Sequence, residues 1–450
     1  MGIYFGTDGI RGIAGEDLTN ELAYKVGRYG AYVLTKHQDK DDTTIVIGKD
    51  TRISCDMLEA SLMAGILSVG VNVVQVGVIP TPGISYLVKH EGFDAGVMIS
   101  ASHNSFDYNG IKFFNHEGFK LPDAIEEEIE SYLEGERELE ERVSADKIGR
   151  LKVDQKLRDG YIHYITSLVE EDLSQFRVLL DCANGATSDV AVEVFNKLGV
   201  QTQVLHHEPD GININEACGS THLESLREAV IQGDYDLGFA FDGDGDRVLA
   251  VDRQGEEVNG DKMLFILASL LKKKGELKQD TITATVMSNL GFLNHARDHG
   301  FEVEITGVGD RYVLERMLEK DLSLGGEQSG HIIMLAYNNT GDGILTAVKL
   351  LEALMVLDRP LFHYNSEIPR YPQVLLGARV HRDKKKDYQS NERINARIKE
   401  IEKSLEGKGR VLIRPSGTES LIRVMLEGED QAALERYAQE LKESFERELS

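Results

Sequence analysis

Thr44-Ile45-Val46-Ile47-Gly48, the polar loop Lys49-Asp50-Thr51-Arg52, a helical stretch from Met57 to Ser68 and then Gly70-Val71-Asn72-Val73-Val74 read as strand, loop, helix, glycine stop and strand. That order is a βαβ unit. It returns in Val178-Leu179-Leu180-Asp181, the loop Asn184-Gly185-Ala186-Thr187, a helix through Lys197 and Gly199-Val200-Gln201-Thr202-Gln203-Val204. A third copy runs from Ile282-Thr283-Ala284-Thr285-Val286 through Ser288-Asn289-Leu290-Gly291 and a helix to His299, ending in Gly300-Phe301-Glu302-Val303-Glu304. Such crossovers are right-handed and favour parallel sheet. Three copies predict three α/β domains of related build. One large doubly wound sheet would also show these units in series. The charged helical segment from Glu126 to Arg142 and a helix around Tyr161 to Val169 separate the first two units and set a boundary near residue 150.

The C-terminal stretch has another character. Tyr371-Pro372-Gln373-Val374-Leu375-Leu376 reads as a strand, Lys384-Lys385-Lys386-Asp387 as a solvated charged turn, and Asn391 to Leu405 as a helix. Val411 to Arg414 and Leu421 to Met425 are strands flanking a Ser-Gly-Thr loop, and Asp430 to Leu449 is a closing helix. This predicts a smaller α+β domain that begins near residue 366.

The 450 residues are 41% hydrophobic and 28% charged, an ordinary globular balance with material for several cores. The formal charge of −26 argues against nucleic-acid and membrane partners, which need a positive surface. It does not exclude a phosphorylated ligand. The Debye length is about 8 Å at physiological salt, so distant charge is muted. An arginine about 4 Å from a phosphate gains roughly 4 kcal/mol per charge pair at an effective dielectric of 20. Cys55, Cys182 and Cys218 are widely spaced and form no framework, which predicts reduced thiols in a cytoplasmic protein. No signal pattern is read at the start, and apolar stretches such as Met263 to Leu271 are too short to span a bilayer.

Five loops carry candidate chemistry. Ser102, in Met98-Ile99-Ser100-Ala101-Ser102-His103-Asn104, follows the apolar run Ala95 to Ile99. A hydroxyl at a strand's carboxyl end is where open α/β sheets bind ligands; a plain turn or helix cap is the competing reading. Asp242-Gly243-Asp244-Gly245-Asp246-Arg247 lies between the apolar strands Leu237 to Phe241 and Val248 to Val251. Glycines let a tight loop turn three acids toward one point, and crowded carboxylates call for a hard cation. A calcium EF-hand fails, because Arg247 and Arg253 stand at its sixth and twelfth positions. Magnesium, which suits few carboxylates plus a phosphate oxygen, is expected; a solvated acidic turn is the alternative. Gly325-Gly326-Glu327-Gln328-Ser329-Gly330-His331 can hydrogen-bond sugar hydroxyls or be an ordinary turn. Arg414-Pro415-Ser416-Gly417-Thr418-Glu419-Ser420 can form an anion nest or a plain hairpin. Phe5-Gly6-Thr7-Asp8-Gly9-Ile10-Arg11-Gly12 offers close backbone approach and a phosphate-holding Arg11, or simply an N-terminal turn. Gly307-Val308-Gly309-Asp310-Arg311-Tyr312 starts like a dinucleotide fingerprint, but Tyr312 replaces its last glycine, which excludes nicotinamide binding.

Taken in order, these loops resemble the α-D-phosphohexomutase family over essentially the whole chain. The opening motif, Gly48-Lys49-Asp50-Thr51-Arg52, Gly309-Asp310-Arg311-Tyr312-Val313 and Gly326-Glu327-Gln328-Ser329-Gly330-His331 are similar to its amino-sugar branch. The resemblance implies an α/β fold of four domains around a central cleft. These are residues 1–150 with a phosphoserine loop, 151–253 with a metal-binding loop, 254–365 with a sugar-binding loop, and 366–450, the α+β domain, with a phosphate-binding loop. It implies that Ser102 carries a phosphoryl group. Asp242, Asp244 and Asp246, with an oxygen at Ser102, would hold one magnesium ion per subunit. Glu327 and Ser329 would bind the sugar, and Arg414, Ser416, Gly417 and Thr418 the distal phosphate. Arg11, His103, Lys112, Arg247 and His331 would surround the reacting groups.

The implied reaction interconverts hexosamine 6- and 1-phosphates through glucosamine 1,6-bisphosphate, which is intermediate and activator. Lys112 or His103 would be the base. A mobile fourth domain would let the intermediate turn over. Partners would be small sugar phosphates, with no nucleic acid or membrane, for a monomer or homodimer. Glucose and mannose phosphates are alternative substrates sharing every catalytic group; a magnesium phosphatase and a non-catalytic sugar-phosphate regulator are other classes. Two departures from the family pattern, Ser105 and Ser420 in place of prolines, remove no chemical group.

Overall fold

The computed structural model describes residues 3–6, 8–36, 42–139, 143–385, 387–405, 407–415 and 420–449. The chain divides into two compact units, residues 1–287 with 301–367, and residues 288–300 with 368–450.

The first unit holds three mixed sheets. In the first, Thr44–Lys49 pairs in parallel with Asn72–Val78 on one side and Ala95–Ile99 on the other. Ala95–Ile99 is buried at every position, as a strand covered on both faces must be. One face packs Ile45, Ile47 and Val97 against the helices Asn20–Thr35 and Ser54–Leu67. The other packs Val46, Met98 and Phe114 beneath the helix Thr81–Glu91. The Thr19 hydroxyl accepts from Leu22 N at 3.2 Å and caps the start of the first of these helices.

The second sheet centres on Arg177–Asp181, parallel to both Leu237–Phe241 and Gln201–Leu205. The third centres on Thr281–Thr285, parallel to Glu302–Thr306 and Leu324–Gly326. All three expected parallel strand pairs are therefore present; the helix that links the third pair, Leu290–Asp298, is grouped with the second unit. Each sheet also carries an antiparallel neighbour: Tyr108–Phe114 beside Ala95–Ile99, Val248–Asp252 beside Leu237–Phe241, and Ile332–Met334 beside Leu324–Gly326. The loops of Ser102, the three acids and Glu327 are the connections within these three antiparallel pairs. Each leaves the carboxyl end of a strand, where an open sheet exposes a crevice. One reading from sequence changes: Gly325 and Gly326 belong to a strand rather than a loop. A side chain at Gly326 would meet His331 O at 2.6 Å, so only glycine lets this tight hairpin close.

The second unit contains the antiparallel sheet Gln373–Arg379, Leu421–Gly428, Gly409–Pro415, covered by the helices Glu392–Leu405 and Gln431–Leu449 around Val424, Leu441 and Phe445. This is the smaller α+β domain expected from sequence.

Candidate active site

Ser102 adopts φ 51°, a left-handed conformation that is strained for serine, and is 2% exposed. Its surroundings fix it there. Its N–H donates to Ser100 Oγ at 2.9 Å, and its carbonyl accepts from Arg52 Nη2 at 3.1 Å and Asn215 Nδ2 at 2.9 Å. The same two side chains hold the Asn104 carbonyl at 2.6 and 2.9 Å. Arg52 is fully buried and paired with Asp50, whose carboxylate also accepts from Ser100 Oγ at 2.5 Å. The hydroxyl of Ser102 then donates to Asp242 Oδ2 at 2.6 Å.

The acid loop is folded by its glycines. A Cβ at Gly243 would lie 2.6 Å from the Ser102 carbonyl, and Gly245 has φ 70°. With both turns made, one carboxylate oxygen from each of Asp242, Asp244 and Asp246 lies within 4.8 Å of the others, all buried. Asp242 Oδ1 accepts from Arg247 N at 3.1 Å. Asp244 Oδ2 accepts from Thr81 Oγ1 at 2.5 Å and Lys112 Nζ at 2.9 Å. Asp244 Oδ1 and Asp246 Oδ1 are buried with no hydrogen-bond partner, Asp246 Oδ1 lying 3.8 Å from Arg247 Nε. Buried carboxylate oxygens without hydrogen-bond donors are costly, and hard oxygen donors so gathered fit a hard divalent cation. Burial first, then the Asp246 and Asp244 charges, push the Asp242 carboxyl well above the usual range. Burial pushes Asp246 the same way, but His331, Lys112 and Arg247 outweigh it and hold Asp246 below that range.

Cations and carboxylates alternate away from this centre. Lys112 Nζ sits 2.9 Å from both Asp244 and Asp8; Lys120 Nζ reaches Asp8 at 2.5 Å and Asp310 at 2.6 Å. Burial alone would lower Lys112, but Asp244, Asp8 and Asp246 overcome it and keep the ammonium charged. His103 behaves oppositely. Burial, then Arg247 and Arg11, bring it down to about 4, and its Nδ1 lies 3.3 Å from Ser102 Oγ. His331, 2% exposed, has Nδ1 3.5 Å from Asp246, while its Nε2 accepts from Gly341 N at 3.1 Å. Arg11 donates to Asn104 Oδ1 at 3.0 Å and pairs with Asp8 at 3.2 Å.

A cleft of about 580 Å³ opens here, lined by Arg11, Asp246, Arg247, Glu327 and His331 together with Asp8, Lys120 and Asp310. Glu327 Oε1 accepts from Gly309 N at 3.0 Å, and Ser329 Oγ is buried without a partner. Gln328 donates to Asp261 at 3.3 Å. The structure thus gathers Ser102, His103, Lys112, Asp242, Asp244, Asp246, Arg247 and His331 into one connected network, with Arg11 and Glu327 on its cleft. Arg414 belongs to the second unit, where it faces Arg423 across the sheet; burial and that neighbour lower its pKa. Ser416, Gly417 and Thr418 lie outside the described residues. Sequence reasoning gave no role to Asp8, Asp50, Arg52, Lys120, Asn215 or Asp310. Asp50 and Arg52 lie in the first polar loop, and Asp8 and Asp310 in the glycine-rich stretches 5–12 and 307–312; Lys120 and Asn215 carry no local signal.

Four family models of phosphoglucomutase/phosphomannomutase match the chain: α/β/α domain I over residues 2–140, domain II over 159–255, domain III over 259–371 and the C-terminal domain over 377–444. A phosphoglucosamine mutase of Caldicellulosiruptor saccharolyticus is 51% identical over 452 residues, covering 100% of both chains. One from Clostridium acetobutylicum is 50% identical over 450 residues, again with 100% coverage of both. Among solved structures, a phosphoglucomutase/phosphomannomutase family protein of Burkholderia thailandensis superposes with TM-score 0.82 at 23% identity, over 99% of this chain and 98% of that one. An N-acetylphosphoglucosamine mutase of Aspergillus fumigatus, in complex with GlcNAc-6P and magnesium, does so with TM-score 0.68 at 16% identity, over 100% and 96%.

Proposed function

This chain belongs to the phosphoglucomutase/phosphomannomutase family, and from that premise we propose that it is a phosphoglucosamine mutase, an isomerase that interconverts glucosamine 6-phosphate and glucosamine 1-phosphate through a phosphoserine and a 1,6-bisphosphate. The observation that carries the chemistry is the Ser102 hydroxyl, 2.6 Å from Asp242 at the edge of a buried cluster of three carboxylates. The choice of an amino sugar rests on full-length relatives at 50–51% identity.

Asp242, Asp244 and Asp246, with an oxygen at Ser102, would hold one magnesium ion. When bound, magnesium neutralises charge on the phosphoryl oxygens. Phosphoryl transfer is otherwise mainly positioning and electrostatics. As the sugar oxygen bonds to phosphorus, the bond from phosphorus to Ser102 Oγ breaks. Arg52 and Asn215 keep the serine backbone in place while this happens. His103, held neutral at pH 7, takes the sugar hydroxyl proton; a phosphoserine dianion beside it raises its basicity toward the working pH. Lys112 stays an ammonium and faces the developing charge instead. Arg11 and Arg247 line the cleft as phosphate-binding cations, and His331 orients Asp246.

Glu327 and Ser329 are assigned to the sugar. Arg414, with Ser416, Gly417 and Thr418, is assigned to the phosphate that is not reacting. The same sites then serve glucosamine 1,6-bisphosphate in its second orientation. The cleft falls within the roughly 300–1,000 Å³ of small-ligand pockets. The three cysteines are unpaired, which suits the reducing cytoplasm, and among the described residues no helix is long and apolar enough to cross a membrane.

The test is phosphorus NMR of the purified protein with magnesium, a trace of sugar bisphosphate, and glucosamine, glucose or mannose 6-phosphate in separate samples. Fast conversion of glucosamine 6-phosphate alone is expected. Preference for glucose or mannose would move the substrate, and free phosphate as the only product would overturn the mutase reading.

A further inference from the structure

Away from the cleft, a second cluster of ligating side chains sits at the carboxyl edge of the second sheet. Asp181 ends the strand Arg177–Asp181, His206 follows the adjoining strand Gln201–Leu205, and Cys218 immediately precedes the turn Gly219–Thr221. One ligand atom from each lies within 4.8 Å of the other two. The Asp181 carboxylate is fixed, with Oδ1 accepting from Ala183 N and Oδ2 from Gly219 N, both at 3.0 Å. His206 Nδ1 is buried and lies 3.1 Å from Asp181 Oδ1, and its contact with that carboxylate raises the imidazole's pKa. Cys218 is buried and unpaired.

We propose that Asp181, His206 and Cys218 form a second metal site, one that takes a borderline-soft divalent ion, zinc rather than magnesium. Two donors bound to one zinc at about 2.0–2.1 Å in tetrahedral geometry stand about 3.3 Å apart, and His206 Nδ1 lies near that spacing, 3.1 Å from Asp181 Oδ1. The mixed oxygen, nitrogen and sulfur set is what separates this site from the acid trio. Thiolate and imidazole select zinc or its neighbours, whereas magnesium demands oxygen. Binding converts the Cys218 thiol to a thiolate and releases its proton to solvent. The His206 side chain is 29% exposed, which leaves a route for the ion and room for a water as fourth ligand.

The site bears on the serine. The segment between His206 and Cys218 carries Asn215, whose N–H donates to Ala183 O at 2.9 Å and whose amide holds the Ser102 and Asn104 carbonyls. An ion joining Asp181, His206 and Cys218 ties both ends of that segment to the sheet and stiffens the support of the serine loop.

The experiment uses the full-length protein, stripped of transition metals, kept in magnesium and titrated with cobalt(II). One equivalent is expected to produce a thiolate-to-cobalt charge-transfer band, which zinc then displaces. Cobalt in the all-oxygen acid trio gives no such band. Cys218→Ser abolishes it. His206→Asn abolishes it as well, and keeps the fold because asparagine tolerates the φ of 48° at this position. No band in the wild-type protein overturns the proposal, as does a band that survives either substitution.

Discussion

Replacing Arg52 by methionine tests the idea that a buried arginine, outside the ring of groups facing the cleft, holds the serine in position. The substitution keeps most of the apolar volume and removes the guanidinium. Asp50, 1% exposed, then loses its cationic partner and keeps only Arg52 N at 3.0 Å, Ser100 Oγ at 2.5 Å and the Cys55 thiol at 3.2 Å. Breaking a buried ion pair by removing one partner costs about 3–5 kcal/mol. The Ser102 and Asn104 carbonyls retain Asn215, so the backbone loosens rather than collapses. A reacting group displaced by about 1 Å loses roughly 100-fold in rate. Urea unfolding should therefore show Arg52→Met destabilised by about 3–5 kcal/mol, and a coupled assay should show kcat lower by about 100-fold, with a smaller change in KM. The double variant Asp50→Asn/Arg52→Met should recover part of the stability, because it removes the stranded charge. A single variant within about 1 kcal/mol of wild type, the worth of an exposed pair, would refute the reasoning.

Two further outcomes follow from the same structure. Burial raises Asp342 from 3.8 to about 6, although its hydrogen bonds from Leu345 N, Asn338 and Tyr161 oppose this. Between those values the folded state holds a proton that the unfolded state has released, so stability falls by roughly 3 kcal/mol as pH rises from about 4 to 6, and is flat above. The stability difference between wild type and Asp342→Asn, measured by urea unfolding across that window, should carry this slope; a flat difference would contradict it. Chelating magnesium should stop turnover and lower the thermal midpoint by a few degrees, since a ligand at 100 times its Kd stabilises by about 2.7 kcal/mol. Asp244→Asn should blunt the midpoint's response to magnesium, and an unchanged midpoint in the wild-type protein would argue against the site.

Local pattern told most of the fold. Ala95–Ile99 and Leu237–Phe241 form strands at the bounds read from their apolar runs, because continuous burial leaves short runs no other use. The acid loop was legible because its chemistry lies within five consecutive residues. What escaped was the support. Asn215 serves Ser102 across 113 positions, Lys112 serves Asp244 across 132, and Lys120 serves Asp310 across 190. No local period encodes such pairings; they exist only once three sheets place their loops together.

The most direct test is to incubate the protein with glucosamine 1,6-bisphosphate and magnesium, map the acquired phosphoryl group by peptide mass spectrometry, and follow glucosamine 6-phosphate turnover in parallel. The account predicts one phosphoryl group on Ser102, and neither label nor turnover in Ser102→Ala. Full turnover by Ser102→Ala, or a phosphoryl group on another residue in an active enzyme, would contradict it.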